Sequence, residues 1–313
     1  MSESKRPIAV LTGPTGTGKS DFALRLAREF PIELVSVDSA QVYRSLDIGS
    51  AKPGAAIRAE TPHHLIDLVD PAANYSAGQF VRDAARAIDD IESRGRIPLL
   101  VGGTMLYLRA LIGGIADLPE SSNEIRAQLD ADAAREGWPA MHARLAAVDA
   151  AAAARIHPND AQRIQRALEV HAVTGQPIST HQARTRSALE RAFVVAALIP
   201  DDRAQLHTAL DVRFVAMMDA GLLGEVRNLR ARGDLTDENP AVRAVGYRQL
   251  WAHLSDAYPL ETAVARAQAA TRQLAKRQMT WLRSMPDIRV FDPYDAQSFV
   301  GFRDCLVAAS CLF

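Results

Sequence analysis

A glycine-rich stretch near the amino end has the residue types that bind phosphate groups. Gly13, Gly18, Lys19 and Ser20 match the spacing G-x-x-x-x-G-K-S/T, between an apolar run and a helical pattern. In such a loop, backbone N–H groups converge on an anion, the lysine adds a positive charge, and the serine hydroxyl can bind Mg²⁺. The spacing therefore predicts a polyphosphate site rather than a glycine turn without a ligand. Its residues are Gly13, Pro14, Thr15, Gly16, Thr17, Gly18, Lys19 and Ser20.

A single carboxylate, Asp38, ends the second apolar run of the chain, residues 32–38. The carboxyl ends of parallel strands are where ligand sites open in α/β sheets, so Asp38 is expected to face an acceptor substrate. The alternative is that Asp38 caps a helix beginning in SAQVYR.

Strands that alternate with helices must position these residues. Helices are predicted at 19–30 and 78–95, and Thr104 is a candidate helix N-cap. The alternation predicts an α/β fold, a parallel sheet of the P-loop NTPase type with flanking helices. The predicted strands are 7–13, 32–38, 63–70, 96–104 and 191–200.

The strand pattern disappears in an alanine-rich, helical stretch at 118–186. This stretch is predicted to be an inserted all-helical module, and residues 1–117 and 187–313 are predicted to form the catalytic core. After Pro200 the core is expected to be mainly helical, at 201–233 and 260–285.

Composition limits the cellular setting. The 313 residues carry a net charge of −1, and no 18-residue apolar run is present, so no membrane partner is expected. The first seven residues lack the apolar region of a secretion signal. The two cysteines, Cys305 and Cys311, cannot form a disulfide framework, which fits the cytoplasm.

One segment is strongly basic although the whole chain is nearly neutral. Residues 262–286 contain five basic residues and no acid. On a helical wheel Arg272, Lys276, Met279 and Arg283 share one face, and Leu274, Arg277 and Trp281 lie largely opposite. The stripe predicts RNA binding, with an ordinary solvated face as the alternative.

Eight motifs in a fixed order make the chain resemble a known family. From Pro7 to about Arg283 it is similar to bacterial tRNA dimethylallyltransferases, which isopentenylate the adenosine 3′ of the anticodon. The motifs are GPTGTGKS, DSAQVYRSLDIGSAKP, HHLID, YSAGQF, VGGTMLYLRAL, NDAQRIQRALEVHAVTGQPIS, AVGYRQLW and KRQMTWLR.

The resemblance implies a role for the phosphate loop. It would hold the diphosphate of dimethylallyl diphosphate, the leaving group in alkyl transfer to the exocyclic amine of adenine. Asp38 would orient the amine and take its proton. Lys19, the loop amides and Mg²⁺ near Ser20 would stabilise the departing charge. Arg213 would be a further diphosphate contact, or else a surface arginine.

The resemblance also implies how a tRNA anticodon stem-loop is held, by a protein expected to be a monomer. The target adenine would leave its stack and enter a pocket. The implied RNA contacts are Asp38, Ser39, Ala40, Gln41 and Thr104 at the pocket, Arg126, Gln162, Arg163, Ile164, Gln165 and Arg166 in the module, and Arg243, Gly246, Tyr247, Arg248, Lys276, Arg277, Gln278, Trp281 and Arg283 in the core.

Three other functions compete with this reading. An isopentenyltransferase acting on free adenine nucleotides would share the loop and Asp38, but would need neither the helical module nor the basic helix. A P-loop small-molecule kinase would consume ATP. A non-catalytic RNA-binding protein would have no use for an intact Lys19, Ser20 and Asp38.

Overall fold

The computed structural model describes residues 6–116, 118–119, 121–183 and 189–312. The chain divides into two compact units, Met1–Arg109 with Leu189–Phe313, and Ala110–Ala188. Positions 117, 186 and 187, at the predicted module boundaries, lie outside the described residues. That the helical module binds tRNA stays a prediction.

A six-stranded sheet, parallel throughout, forms the centre of the first unit and confirms the predicted fold class. Its order is β3-β2-β4-β1-β5-β6, and Val10 on the central strand pairs with Leu100 on one side and Val195 on the other. Strands buried on both faces read as continuous apolar runs, which explains why four of the six were predictable. The strands are β1 Ile8–Thr12, β2 Ile32–Ser36, β3 His63–His64, β4 Ile97–Val101, β5 Phe193–Leu198 and β6 Arg289–Phe291.

Fourteen helices lie in the described part of the chain. They are α1 Lys19–Glu29, α2 Ala55–Glu60, α3 Ala77–Ser93, α4 Met105–Gly113, α5 Asn123–Glu136, α6 Trp138–Val148, α7 Ala150–Ala153, α8 Ala161–Thr174, α9 Ile178–Ala183, α10 Arg203–Asp219, α11 Leu222–Ala231, α12 Tyr247–Leu254, α13 Leu260–Arg283 and α14 Ser298–Ala308. None of these helices combines the length and the apolar character needed to cross a membrane.

Two large cores stabilise the first unit. One joins the sheet to α1 and α14, where the rings of Phe22 and Phe299 meet edge to face with centroids 5.7 Å apart. The other packs α10 to α13 against residues 42–46, with Phe214 and Tyr247 near its centre. The first core thus holds β1, β2 and β4, and the second holds residues 42–46, which follow β2 and Asp38.

The second unit is helical and has its own core, in which Leu129, Met141 and Ile164 are buried. Helix α8 begins after Asp160, whose side chain accepts a hydrogen bond from the Arg163 N–H at 3.2 Å. Ile164 and Leu168 of this helix are buried in the core of the unit.

Several predictions of local structure were wrong. The third strand is only two residues long because Leu65 and Asp67 adopt positive φ values of 64° and 57°, which a strand cannot contain. Met279 does not share a face with exposed Lys276, since its side chain is 2% exposed and packs in the core. Strand β6 and helix α14 were not predicted.

Candidate active site

The phosphate-binding loop connects β1 to α1, and its backbone requires glycine at two points. Gly13 has φ +147°, and a Cβ there would lie 2.5 Å from the carbonyl oxygen of Leu198. Gly18 has φ +73° directly before α1 begins at Lys19. The N–H groups of the first helical turn have no partner within the helix and carry the positive end of its dipole. This geometry suits an anion.

Lys19 lies half-buried beside this loop. Its Nζ donates a hydrogen bond to the Pro14 carbonyl at 2.6 Å. Burial, together with the positive charge of Arg213, lowers the pKa of Lys19 to about 7, and Asp38 acts in the opposite direction. An anion bound in the loop would raise that pKa again, because it favours the charged amine.

Arg213, on α10, is half-buried and lines two cavities, so it is not a surface arginine. Burial lowers the pKa of its guanidinium, while the charges of Asp38 and Asp21 raise it. The fold therefore brings together three charged residues that interact electrostatically although they lie far apart in the sequence: Lys19, Asp38 and Arg213.

Asp38 follows β2 and is half-buried. Its Oδ1 accepts hydrogen bonds from the N–H groups of Ala40 at 2.8 Å and Gln41 at 3.2 Å. These bonds cap a turn rather than a helix, because residues 39–46 form no helix. Oδ2 accepts no hydrogen bond from any described residue. One carboxylate oxygen thus orients the side chain, and the other is available to a substrate.

Thr104, in the turn after β4, bonds to Ser39, the residue that follows Asp38. Its Oγ1 accepts a hydrogen bond from the Ser39 N–H at 3.0 Å and lies 3.3 Å from the Ser39 hydroxyl. Gln41 fixes the other side of the turn, because its Oε1 accepts from the Ser36 hydroxyl at 2.9 Å and its Nε2 donates to the Ser50 carbonyl at 3.3 Å.

Two cavities adjoin at Asp38. The first, of about 330 Å³, we call the loop cavity, since Gly16, Gly18, Lys19 and Ser20 line it. The second, of about 450 Å³, we call the apolar cavity. Apolar side chains dominate its wall: Met105, Leu106, Leu210, Phe214, Met217, Leu274 and Trp281. Four residues line both cavities: Thr15, Asp38, Ser50 and Arg213. A ligand in each cavity would meet the other beside Asp38.

Most of the predicted RNA contacts in the first unit lie around the apolar cavity. Gln41 lines the loop cavity. The apolar cavity is lined by Ser39, Ala40, Thr104, Arg243, Tyr247, Arg277, Gln278 and Trp281. Gly246 is buried beside Tyr247. Arg248, Lys276 and Arg283 are exposed and line neither of these two cavities.

Three of the predicted RNA contacts have side chains that are buried or bonded within the protein. Ile164 is fully buried in the core of the second unit, so its side chain is not available to RNA. The Tyr247 hydroxyl donates to Glu225 at 2.5 Å, although the residue lines the apolar cavity. Both polar atoms of Gln278 bond within the protein, to Thr15 and Gly103.

In the second unit, the predicted RNA contacts differ in their surroundings. Gln162 and Arg163 are exposed. Arg126 and Arg166 both bond to the fully buried carboxylate of Glu169, at 3.0 Å and 2.7 Å. Glu169 holds two guanidinium groups in fixed positions.

The sequence prediction missed the residues that hold the wall opposite the phosphate loop. Glu225 on α11 accepts hydrogen bonds from three consecutive N–H groups, those of Asp47, Ile48 and Gly49. The Lys52 side chain is 2% exposed, and its amine bonds to Asp47 and Asp67 at 2.7 Å each. Lys52 belongs to the DIGSAKP part of a motif quoted above, so the sequence could have identified it as a site residue. Glu225 could not be identified in this way, because its partners are backbone N–H groups, which the types of the side chains do not reveal.

The residues of the loop cavity fit a magnesium ion that is shared with a diphosphate. Within the described residues, no group of three or more His, Cys, Asp or Glu side chains could hold a metal. The exposed Ser20 and Asp21, on the first turn of α1, offer oxygen atoms to the cavity. Mg²⁺ is commonly held by few protein oxygens together with phosphates and water, which matches this sparse set.

A comparison with protein families decides the family. The model described as IPP transferase matches residues 41–285, and the one described as isopentenyl transferase matches residues 7–67. The chain belongs to the IPP transferase family. The site described above is thus the candidate active site of an IPP transferase.

Individual relatives of this IPP transferase agree over nearly its whole length. It is 56% identical over 292 residues to a tRNA dimethylallyltransferase of Bordetella petrii, covering 92% of this chain and 93% of that protein. It is 58% identical over 281 residues to one of Methylibium petroleiphilum, covering 88% and 86%.

Two solved structures resemble this IPP transferase. A tRNA isopentenylpyrophosphate transferase of Bacillus halodurans is 33% identical, with a TM-score of 0.72 and 97% of each chain covered. A eukaryotic dimethylallyltransferase acting on tRNA is 28% identical, with a TM-score of 0.82, covering 97% of this chain and 79% of that one.

Proposed function

We propose that this IPP transferase moves a dimethylallyl group from dimethylallyl diphosphate to the exocyclic amine of the adenosine 3′ of the anticodon in tRNA, releasing diphosphate. The observation that carries the proposal is the pair of adjoining cavities, one lined by a phosphate loop and one by apolar side chains, which meet at Asp38 and Arg213.

The loop cavity binds the diphosphate. Negative charge develops there as the carbon–oxygen bond of the allyl diphosphate breaks. The N–H groups of the loop, Lys19 and Arg213 face this charge from fixed positions, which lowers the energy of the transition state rather than of the substrate alone. Mg²⁺, held by Ser20 and by phosphate oxygens, supplies further stabilisation of the leaving charge when bound.

The apolar cavity accepts the extruded adenine. Trp281, Phe214 and Met217 offer surfaces on which a flipped base can stack. Its amine then meets Asp38, whose Oδ2 accepts a proton from the amine while the nitrogen bonds to the allyl carbon. Oδ1 stays bonded to the Ala40 and Gln41 N–H groups, so the carboxylate keeps its orientation during the transfer.

The rest of the anticodon stem-loop binds exposed basic residues outside the cavity. In the first unit the residues that bind RNA are Arg243, Arg248, Lys276 and Arg283, and in the second unit they are Gln162 and Arg163. Phosphate contacts of this kind position the RNA and weaken with salt. The enzyme acts as a monomer in the cytoplasm, where its RNA substrate is found.

The test mixes the purified protein with dimethylallyl diphosphate, Mg²⁺ and an unmodified tRNA, and weighs the released nucleosides by mass spectrometry. We expect one dimethylallyl group on one adenosine of the anticodon loop. Parallel reactions contain AMP, ADP or ATP in place of tRNA. Transfer to a free nucleotide but not to tRNA would establish the nucleotide isopentenyltransferase instead, and ATP-dependent phosphorylation without transfer would establish a kinase.

A further inference from the structure

Gln278, on α13, connects two loops of the candidate active site. The side chain is 8% exposed. Its Oε1 accepts a hydrogen bond from the Thr15 N–H in the phosphate loop at 2.9 Å. Its Nε2 donates to the Gly103 carbonyl, in the turn after β4, at 2.7 Å. One side-chain amide therefore joins segments that lie far apart in the sequence.

Each of the two loops holds a group that the reaction needs. Thr15 lines both the loop cavity and the apolar cavity. Gly103 precedes Thr104, whose hydroxyl holds the Ser39 N–H next to Asp38. The bonds through Gln278 thus run from the diphosphate loop to the turn that supports the carboxylate.

Tight packing leaves this connection little freedom. A Cβ added to Gly103 would lie 2.5 Å from Gln278 Nε2 and 3.1 Å from the Gly13 carbonyl oxygen. The next residue, Met279, is buried with Leu206 and Leu210 of α10 and fixes the rotation of α13. The Gln278 side chain is therefore held at a set height between the two loops.

An RNA contact that pulled this amide away from Thr15 or Gly103 would leave a buried backbone group without a partner. Leaving a buried donor or acceptor without a partner costs about 1–3 kcal/mol. The adjacent Arg277 lines the apolar cavity and is exposed, so it can contact RNA without this cost. Both neighbours line the apolar cavity, but Arg277 is exposed there whereas Gln278 is 8% exposed and bonded to two protein loops.

We propose that Gln278 is a positioning residue for the transfer reaction, one that sets the phosphate loop relative to the turn supporting Asp38. The proposal rests on the function proposed above. A neutral amide suits the position because it both accepts from an N–H and donates to a carbonyl. A thioether does neither well, and an ionised carboxylate cannot donate to Gly103.

The experiment compares Gln278→Met and Gln278→Glu with Gln273→Met, which replaces an exposed glutamine on the same helix. We measure the thermal midpoint, the Kd for tRNA, the Kd for dimethylallyl diphosphate by calorimetry, and the single-turnover transfer rate. Gln278→Met is expected to lower the rate about 10- to 100-fold, because a displacement of about 1 Å can cost about 10²-fold. The Kd of Gln278→Met for dimethylallyl diphosphate should rise, while its Kd for tRNA should stay within about twofold of wild type. For the control Gln273→Met, the transfer rate and both Kd values should stay within about twofold of wild type.

The pH profile separates positioning from simple loss of packing. Gln278→Glu should lose activity at pH 8 and regain part of it near pH 6, where a protonated carboxyl can donate to Gly103 as the amide does. Wild type and Gln273→Met supply the reference profile. Because this variant keeps the size of the native side chain, it tests the proposal even if Gln278→Met is poorly folded.

Three results would overturn the proposal. The first is a wild-type rate and Kd for dimethylallyl diphosphate in Gln278→Met. The second is a variant defective only in its Kd for tRNA, which would make Gln278 an RNA contact. The third is a Gln278→Glu profile parallel to that of wild type. If wild type itself transfers nothing, the proposed function fails, and the Kd for dimethylallyl diphosphate still tests whether Gln278 sets the phosphate loop.

Discussion

Raising the pH from 7 to 9 should weaken the binding of dimethylallyl diphosphate in the absence of RNA. Burial and the charge of Arg213 lower the pKa of Lys19 to about 7, so in the free protein the amine is about half charged at pH 7. The bound diphosphate needs the charged form, and its own phosphate groups titrate near a pKa of about 6. Binding above pH 7 must therefore take up a proton.

The size of the effect follows from the charged fraction. With a pKa of about 7, the charged fraction falls from about one half at pH 7 to about one hundredth at pH 9. The Kd should then rise about 50-fold, equivalent to about 2.3 kcal/mol, provided that the diphosphate raises the Lys19 pKa above 9 in the complex.

Calorimetry in two buffers of different ionisation enthalpy measures this proton uptake directly. At pH 8 the wild-type protein should take up close to one proton for each ligand bound. Lys19→Met should bind more weakly and show almost no change of Kd between pH 7 and 9. A wild-type Kd that stays constant over this range, with no proton uptake, would refute the assignment of Lys19 as a partly neutral diphosphate ligand.

Three further predictions concern residues outside the reacting centre. Glu225→Ala removes the acceptor of three backbone N–H groups and should lower the free energy of unfolding by about 2–4 kcal/mol in urea titrations; an unchanged midpoint would contradict this. Glu169→Ala leaves Arg126 and Arg166 without their buried partner and should destabilise the second unit by about 3–5 kcal/mol. Amide hydrogen exchange should then be faster in residues 121–183 than in the rest of the chain, and exchange at wild-type rates there would contradict the prediction. Lys276→Ala should lower the salt slope of tRNA binding by about one unit, and an equal slope would place Lys276 outside the RNA contact.

The phosphate loop and Asp38 were predictable because their signals are local. Glycines at fixed spacing before a helix, and a carboxylate at the end of an apolar run, specify both the element and the position of the side chain within it. The buried strands β1, β2, β4 and β5 are continuous apolar runs for the same reason: both faces of the sheet are covered.

The rest of the site depends on partners that are distant in the sequence. Gln278 and Glu225 bond to backbone N–H groups, and every residue but proline offers such a group, so side-chain types give no signal. A helical wheel shows which residues share a face of a helix but not which neighbouring element packs against that face. For this reason Met279 was predicted to lie with the charged residues of α13, whereas it is buried against α10. Arg272 on that helix forms an ion pair with Asp211.

A single-turnover comparison of wild type with Asp38→Asn tests the central claim most directly. Preformed complexes with tRNA are mixed with dimethylallyl diphosphate and quenched at successive times. Asparagine keeps an oxygen for the Ala40 and Gln41 N–H groups but cannot take the proton of the amine. The rate should fall by about 10²–10⁴-fold while the Kd values for both substrates change little. Transfer by Asp38→Asn at nearly the wild-type rate would contradict the account.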